Sequence, residues 1–344
     1  MSDTALDQDP AGDEAAFAEL LARHRRELHL HCYRMLGSVT DADDLVQETI
    51  IAAWRGRADF TGRSSLRVWL YRIATNRCLN AIRDAKRRPP LAPVPPFEPP
   101  EPSGWGEVTW LQPYPDAWLS RMPGWPAGPA EQYEAREIIE LAFIAALQRL
   151  PPRQTAAVVL CDALEYSQGE AAVILSTTAV RVKGLLQRAR ASLDQNPSLA
   201  QSRRTGEPPA PAVASATDRE LARRFARAFS ADDIPGVIAL LTDGAWLSMP
   251  PAPHEYYGQA AIAGFLQASV DARAGRRFTL QPAHYNGQAA FGCVLGPSGH
   301  GGPSGHGDRV DAGILVLAIH ENRIQGITRF LDPALPVRFR LDAV

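Results

Sequence analysis

Thirteen prolines fall between Pro89 and Pro129 of this 344-residue chain. Proline fixes φ, lacks an amide proton and clashes with a helix interior, so no long helix or central strand runs through the stretch. The same residues include Glu98, Glu101, Glu107 and Asp116, and this composition favours extended, polyproline-like chain. It predicts a linker over 89–130 that divides the molecule. Within it, Trp110-Leu-Gln-Pro-Tyr-Pro-Asp-Ala-Trp118 is too apolar for a plain solvated spacer. This segment is expected to dock, either on its own chain or by threading through a partner.

Ahead of the linker, residues 1–13 are polar, lack an apolar core and are expected to be disordered. Glu14 to Leu36 has helical period, with Phe17, Leu20, Leu21, Leu28 and Met35 among its apolar positions, and Gly37-Ser38 ends it. Thr40 or Asp41 is expected to cap a second helix reaching about Arg55, with Val46, Thr49, Ile50 and Ala53 inward. Asp41, Asp43 and Asp44 suit the dipole of that helix, which leaves Gln47 and Glu48 unexplained. Arg57 to Ser65 reads as a loop, and Ser64 or Ser65 caps the long helix that follows. On this helix Arg72, Asn76, Asn80, Arg83 and Arg87 share one stripe, while Leu66, Trp69, Leu70 and Ile73 share another. Arginine supplies fixed charge for phosphates, and asparagine matches an adenine edge. The formal charge of the whole chain is −2, yet ten basic and two acidic residues lie between Ala53 and Arg88. The average hides a basic patch suited to nucleic acid.

After the linker, Glu131 to Leu150 regains helical period, and Pro151-Pro152 opens a helix over Arg153 to Leu164. Ser167 to Leu175, a turn at Ser176-Thr177, and Thr178 to Leu193 form a helix-turn-helix closed by Ala171, Ala172, Leu175, Val182, Leu186 and Ala189. The second helix presents Val180, Gly184, Gln187, Arg188 and Ala191 outward, flanked by Arg181, Lys183 and Arg190. The N-terminal part of such a helix enters the major groove. Thr178, Arg181 and Lys183 are therefore candidates for base edges, and Gln187, Arg188 and Arg190 for phosphates.

Residues 196–214 read as a second linker, and 215–344 as an α+β domain with helices first and a curled antiparallel sheet afterwards. The expected strands are 245–249, 277–283, 288–295, 310–320 and 323–330. A cone of this kind has room for a ligand pocket, for which Trp246, Met249, His254, Tyr256, Tyr257 and Asp311 are candidates, with His284 and Asp332 beside them. Trp246, Tyr256 and Tyr257 serve equally as core. Gly296-Pro-Ser-Gly-His-Gly301 is duplicated at once as 302–307, a loop insertion without the support a metal site needs. Cys32, Cys78, Cys161 and Cys293 are too scattered for a zinc site, and no apolar run is long enough to span a bilayer. The expectation is a cytoplasmic protein with reduced thiols, no cofactor and no metal.

Asp41 to Glu48 followed by WLYRIATNRCLNAIR resembles region 2 of the sigma-70 family RNA polymerase sigma factors, of the small extracytoplasmic-function type. EAAVILSTTAVRVKGLLQRARASL resembles sigma region 4. WLSMPP, the Tyr256-Tyr257-Gly258 segment and the terminal RFLDPAL resemble the SnoaL-like domain that a subgroup of these factors has at its C-terminus. The resemblance implies two all-α helical domains, over 14–88 and 131–195, then an α+β cone. It implies that Asp41, Asp44, Gln47 and Glu48 contact the β′ clamp helices of core polymerase, with the β subunit also engaged. It places Arg57, Phe60, Arg63, Arg72, Asn76, Arg77, Asn80, Arg83 and Arg87 on the −10 element, Phe60 serving equally as core. Thr178, Arg181, Lys183, Gln187, Arg188 and Arg190 fall on the −35 element. The function implied is promoter selection and opening without a covalent step of its own, under a C-terminal domain that regulates or senses a small molecule. An anti-sigma partner is not specified. Two other classes stay open: a ligand-responsive helix-turn-helix regulator, and an enzyme using the cone pocket.

Overall fold

The computed structural model describes residues 14–60, 62, 64–85, 95–105, 111–121, 140–195, 216–250, 252–297 and 309–341. Arg63, Arg87, Trp110, the 196–214 segment and the duplicated glycine-histidine loop from 298 onward lie outside them, as do residues 1–13 and 131–139. Contacts divide the chain into two units.

The first unit is helical. Helix α1 (Glu14–Leu36), α2 (Val39–Arg55) and α3 (Leu66–Ala85) carry the buried Phe17, Leu28, Tyr33, Met35, Leu70 and Tyr71. Ser38 rather than Thr40 or Asp41 caps α2, because its side chain reaches the Asp41 amide at 3.1 Å. Helices α5 (Leu141–Arg149) and α6 (Pro152–Val158) follow, the second continuing into a π turn over Val159–Ala163. Helix α7 (Gln168–Ile174) opens on a capping box, with Ser167 and Glu170 exchanging hydrogen bonds. After the turn at Ser176, which has φ of 50°, α8 (Ala179–Asp194) begins at its N-cap Thr178. All six residues expected to close this small core are buried.

The second unit contains α9 (Ala216–Ser230), α10 (Ile234–Ile238) and α11 (Gln259–Ala272), and a seven-stranded sheet. The strands are β1 (Gly104–Trp105), β2 (Leu241–Met249), β3 (Ala252–Tyr257), β4 (Arg276–Tyr285), β5 (Gln288–Pro297), β6 (Val310–His320) and β7 (Arg323–Phe330), in the order β1-β3-β2-β7-β6-β5-β4. The sheet is mixed rather than antiparallel, since β2 runs parallel to β7. Phe225, Leu247, Met249, Tyr256, Ile262, Phe291, Leu315 and Ile327 belong to one core. Between β4 and β5, Asn286 and Gly287 take φ of 55° and 72°, the left-handed pair that a two-residue hairpin requires.

Besides β3, three elements of this unit were not among those expected. Residues 91–121 group with the C-terminal unit. Their described part includes strand β1, which adds to the edge of the sheet, and a one-turn helix α4 (Asp116–Leu119). A C-terminal helix, α12 (Ala334–Leu341), packs on β6.

Candidate nucleic-acid interface

Helix α2 turns Asp41, Asp44, Gln47 and Glu48 to solvent, while Ala42, Leu45, Val46 and Thr49 are buried behind them. One exposed acidic face results. Helix α3 likewise exposes Arg72, Asn76, Asn80 and Arg83, so the described members of the predicted stripe share one surface. Arg77 is half-buried and pairs with Glu48, which ties the α3 surface to the acidic face. Arg57 donates to Glu14 at 2.6 Å and lies 4.9 Å from the Trp54 ring centroid. Phe60 packs on Trp69, with centroids 5.2 Å apart.

In the helix-turn-helix, Thr178 accepts from the Arg181 amide at 3.3 Å and fixes the start of α8. Arg181, Lys183, Gln187 and Arg188 are exposed along it. Arg190 is exposed but chelates Asp162 at 2.6 and 3.1 Å, and this hydrogen bond raises its pKa. Its guanidinium braces α8 against the π turn, so it is less available for phosphate than its sequence position implies.

The stretch 20–88 matches the sigma-70 region 2 family, 140–193 the sigma-70 region 4 family, and 222–327 the SnoaL-like domain. The chain is 38% identical over 337 residues to the extracytoplasmic-function RNA polymerase sigma factor SigG of Mycobacterium tuberculosis, covering 96% of this chain and 84% of that one. The chain belongs to the extracytoplasmic-function sigma factors. It therefore directs RNA polymerase to promoters, with core polymerase and promoter DNA as its partners. The sigma factor SigM of M. tuberculosis is 32% identical over 53% of this chain and 78% of its own. The crystal structure of SigJ from M. tuberculosis shares the fold, with a TM-score of 0.56 at 21% identity, over 92% of this chain and 97% of that one.

Regions 2 and 4 of this sigma factor meet within the helical unit. The Arg67 guanidinium lies 5.1 Å from the Tyr71 ring centroid and 4.9 Å from that of Tyr166, which precedes α7. Its Nε donates to Glu27 at 3.0 Å. Burial works against the Glu27 carboxylate, yet the hydrogen bond from His24 and the charge of Arg67 hold its pKa below the ordinary value.

Beneath this contact His31 is fully buried, its Nε2 2.9 Å from the Thr75 hydroxyl. Burial first, then the nearby Arg34 cation, push its pKa down from 6.5 to about 3. The folded protein keeps this ring neutral, whereas the unfolded chain takes up a proton below pH 6.5. Stability is therefore expected to fall as pH drops from about 6.5 to about 3. At about 1.4 kcal/mol per pH unit, the loss at pH 5 is about 2 kcal/mol. Chemical denaturation of wild type and His31→Gln across this range checks it. The variant should lose this component of the pH dependence, and an unchanged slope would refute the assignment.

The six candidate pocket residues do not converge. Met249 and Tyr256 are buried in the core of the SnoaL-like domain. Trp246 pairs across the strands with Tyr257, which is 53% exposed, and strand alternation puts these two on the face opposite Tyr256. His254 packs on Trp105 at 5.2 Å, and Asp311 sits opposite Val294 on β6, three places from β3 in the strand order. Strand β3 and its register, which were not among the sequence expectations, set these residues apart. An open cleft of about 400 Å³ lies elsewhere, lined by Arg224, Arg227, Ala228, Asp233 and Leu240 among others. Among the described residues no group of side chains could hold a metal ion, and no helix is long and apolar enough to cross a membrane.

What the sequence reading missed is how the proline-rich segment is held. Phe97 packs 5.5 Å from Phe265. The Tyr256 hydroxyl donates to the Pro100 carbonyl at 2.8 Å, and the Tyr257 amide to the Ser103 hydroxyl at 3.1 Å. Gly104 and Trp105 pair with Glu255 and His254. Farther along, the Tyr114 amide donates to Asn286 Oδ1 at 2.6 Å, and the Asn286 amide returns a bond to the Tyr114 carbonyl at 2.9 Å. The Gly287 amide donates to Asp116 at 2.8 Å. The Asn286-Gly287 pair was the available sequence signal for a hairpin tip, though not for what docks on it.

Proposed function

We propose that this is a non-enzymatic, cytoplasmic sigma factor whose SnoaL-like domain regulates it by holding the linker between regions 2 and 4. The linker joins the two promoter readers, and in a sigma factor engaged with polymerase it must follow a path through the enzyme. A linker bound as strand β1 and anchored at Pro100, Ser103, Tyr114 and Asp116 is kept from that path until it is released. The observation that carries this reading is the pairing of Gly104-Trp105 with β3, reinforced by the Tyr256–Pro100 hydrogen bond. In the engaged state Asp41, Asp44, Gln47 and Glu48 meet the β′ clamp helices. The exposed face of α3 takes the −10 element, and Thr178, Arg181 and Lys183 take the −35 element. Multi-round transcription with core polymerase and a genomic promoter pool, comparing the full chain with one ending at Gly206, tests it. Discrete start sites with both, at different levels, support the reading. Equal levels would remove the regulatory role.

The two kinds of −35 contact separate in a second experiment. Arg181→Ala should weaken binding by roughly 1–3 kcal/mol and relax sequence preference, whereas Arg188→Ala should weaken all sequences alike and flatten the salt dependence. Equal loss of selectivity in both variants would remove the distinction.

A further inference from the structure

Val180 is 82% exposed, the most exposed of the large apolar residues described. It stands at the second position of α8, next to Arg181. A β-branched residue there lowers helix propensity relative to alanine and adds nothing to the core, so neither helix formation nor packing accounts for it. At 100° per residue it lies opposite the buried stripe of Val182, Leu186, Ala189 and Leu193. Gly184, one turn on, adds no side chain to this crest, and the nearest atom that a Cβ there would meet is the Arg188 guanidinium at 3.5 Å. Ala191 continues the line, and Gln187 is its polar member. Arg181 and Arg188 flank the crest on one side and Lys183 on the other, where Arg190 is held by Asp162. A narrow, small-residue ridge between two cationic flanks matches a major groove, whose floor carries thymine 5-methyl groups and whose walls are phosphates.

We propose that Val180 recognises the 5-methyl group of a thymine in the −35 element and so sets promoter preference at that base pair. This rests on the sigma factor reading given above, and it adds a residue outside the polar set assigned to base edges.

The test uses holoenzyme formed from core polymerase and the full chain, and a promoter duplex selected from a pool randomised over the −35 region. Each thymine of the selected element is replaced in turn by uracil, which removes only the methyl group. Wild-type holoenzyme should lose affinity about fourfold at one position, the weight of one methyl group withdrawn from water. Val180→Ala holoenzyme should bind the unsubstituted promoter about fourfold more weakly and show no further loss with uracil there. Alanine on an exposed helix is compatible with folding, and an unchanged melting temperature confirms that. If no thymine responds in wild type, or the variant keeps the uracil penalty, the assignment of Val180 is overturned while the sigma reading stands. Holoenzyme that initiates nowhere would overturn both.

Discussion

Asp44→Arg is expected to abolish capture of core RNA polymerase by the full chain while leaving its helical content and melting temperature unchanged. Asp44 is exposed on α2, and its neighbours Leu45 and Val46 carry the packing. Substitution at such a surface position shifts stability by less than about 0.5 kcal/mol. At an interface the same reversal places like charges together, at a cost of several kcal/mol, and binding should fall at least roughly a hundredfold. Glu48 is a less decisive site, because its bridge to Arg77 would be lost at the same time. Pull-down of polymerase by Asp44→Arg at the wild-type level would refute the docking face.

Asn286→Gly combined with Asp116→Ala should free the 111–121 part of the proline-rich segment without unfolding the sheet. Glycine keeps the positive φ of the hairpin tip but removes the acceptor of the Tyr114 amide, and alanine removes the acceptor of the Gly287 amide. Two lost hydrogen bonds, one of them leaving a buried donor, amount to about 3 kcal/mol, or roughly a hundredfold in the docking equilibrium. Limited proteolysis near residues 111–121 should accelerate accordingly, and multi-round transcription should rise at least about threefold. Faster cleavage with unchanged transcription would show that the linker docks without controlling the sigma regions.

These expectations rest on features of unequal visibility in the sequence. Local ones were legible: the buried stripe of α8 and the exposed stripe of α3 repeat at helical period, and short-range packing follows that period. The Arg190–Asp162 bridge was not, because its partners come from different elements separated by 28 residues. Neither was the parallel β2–β7 pair, which joins Leu247 to Ile327, since a strand's alternation reveals its faces but not its neighbour. Strand β3 begins between Pro251 and Pro253 and was not among the expected strands, and without it the register that separates Trp246 and Tyr257 from Met249 and Tyr256 was missing. The apolar character of the linker announced that it docks; only the fold names its partner.

The hydrogen bond between Pro100 and Tyr256 spans 156 residues. A ribosome adding roughly 5–20 residues per second needs roughly 8–30 s to make that stretch. Both promoter-reading regions, complete by Asp194, thus leave the ribosome before the sheet that captures their connection exists. Under the proposed restraint, each newly made molecule passes through an interval in which it has its readers but not that restraint, and a rise in synthesis rate enlarges the unrestrained fraction before any signal acts on the finished protein.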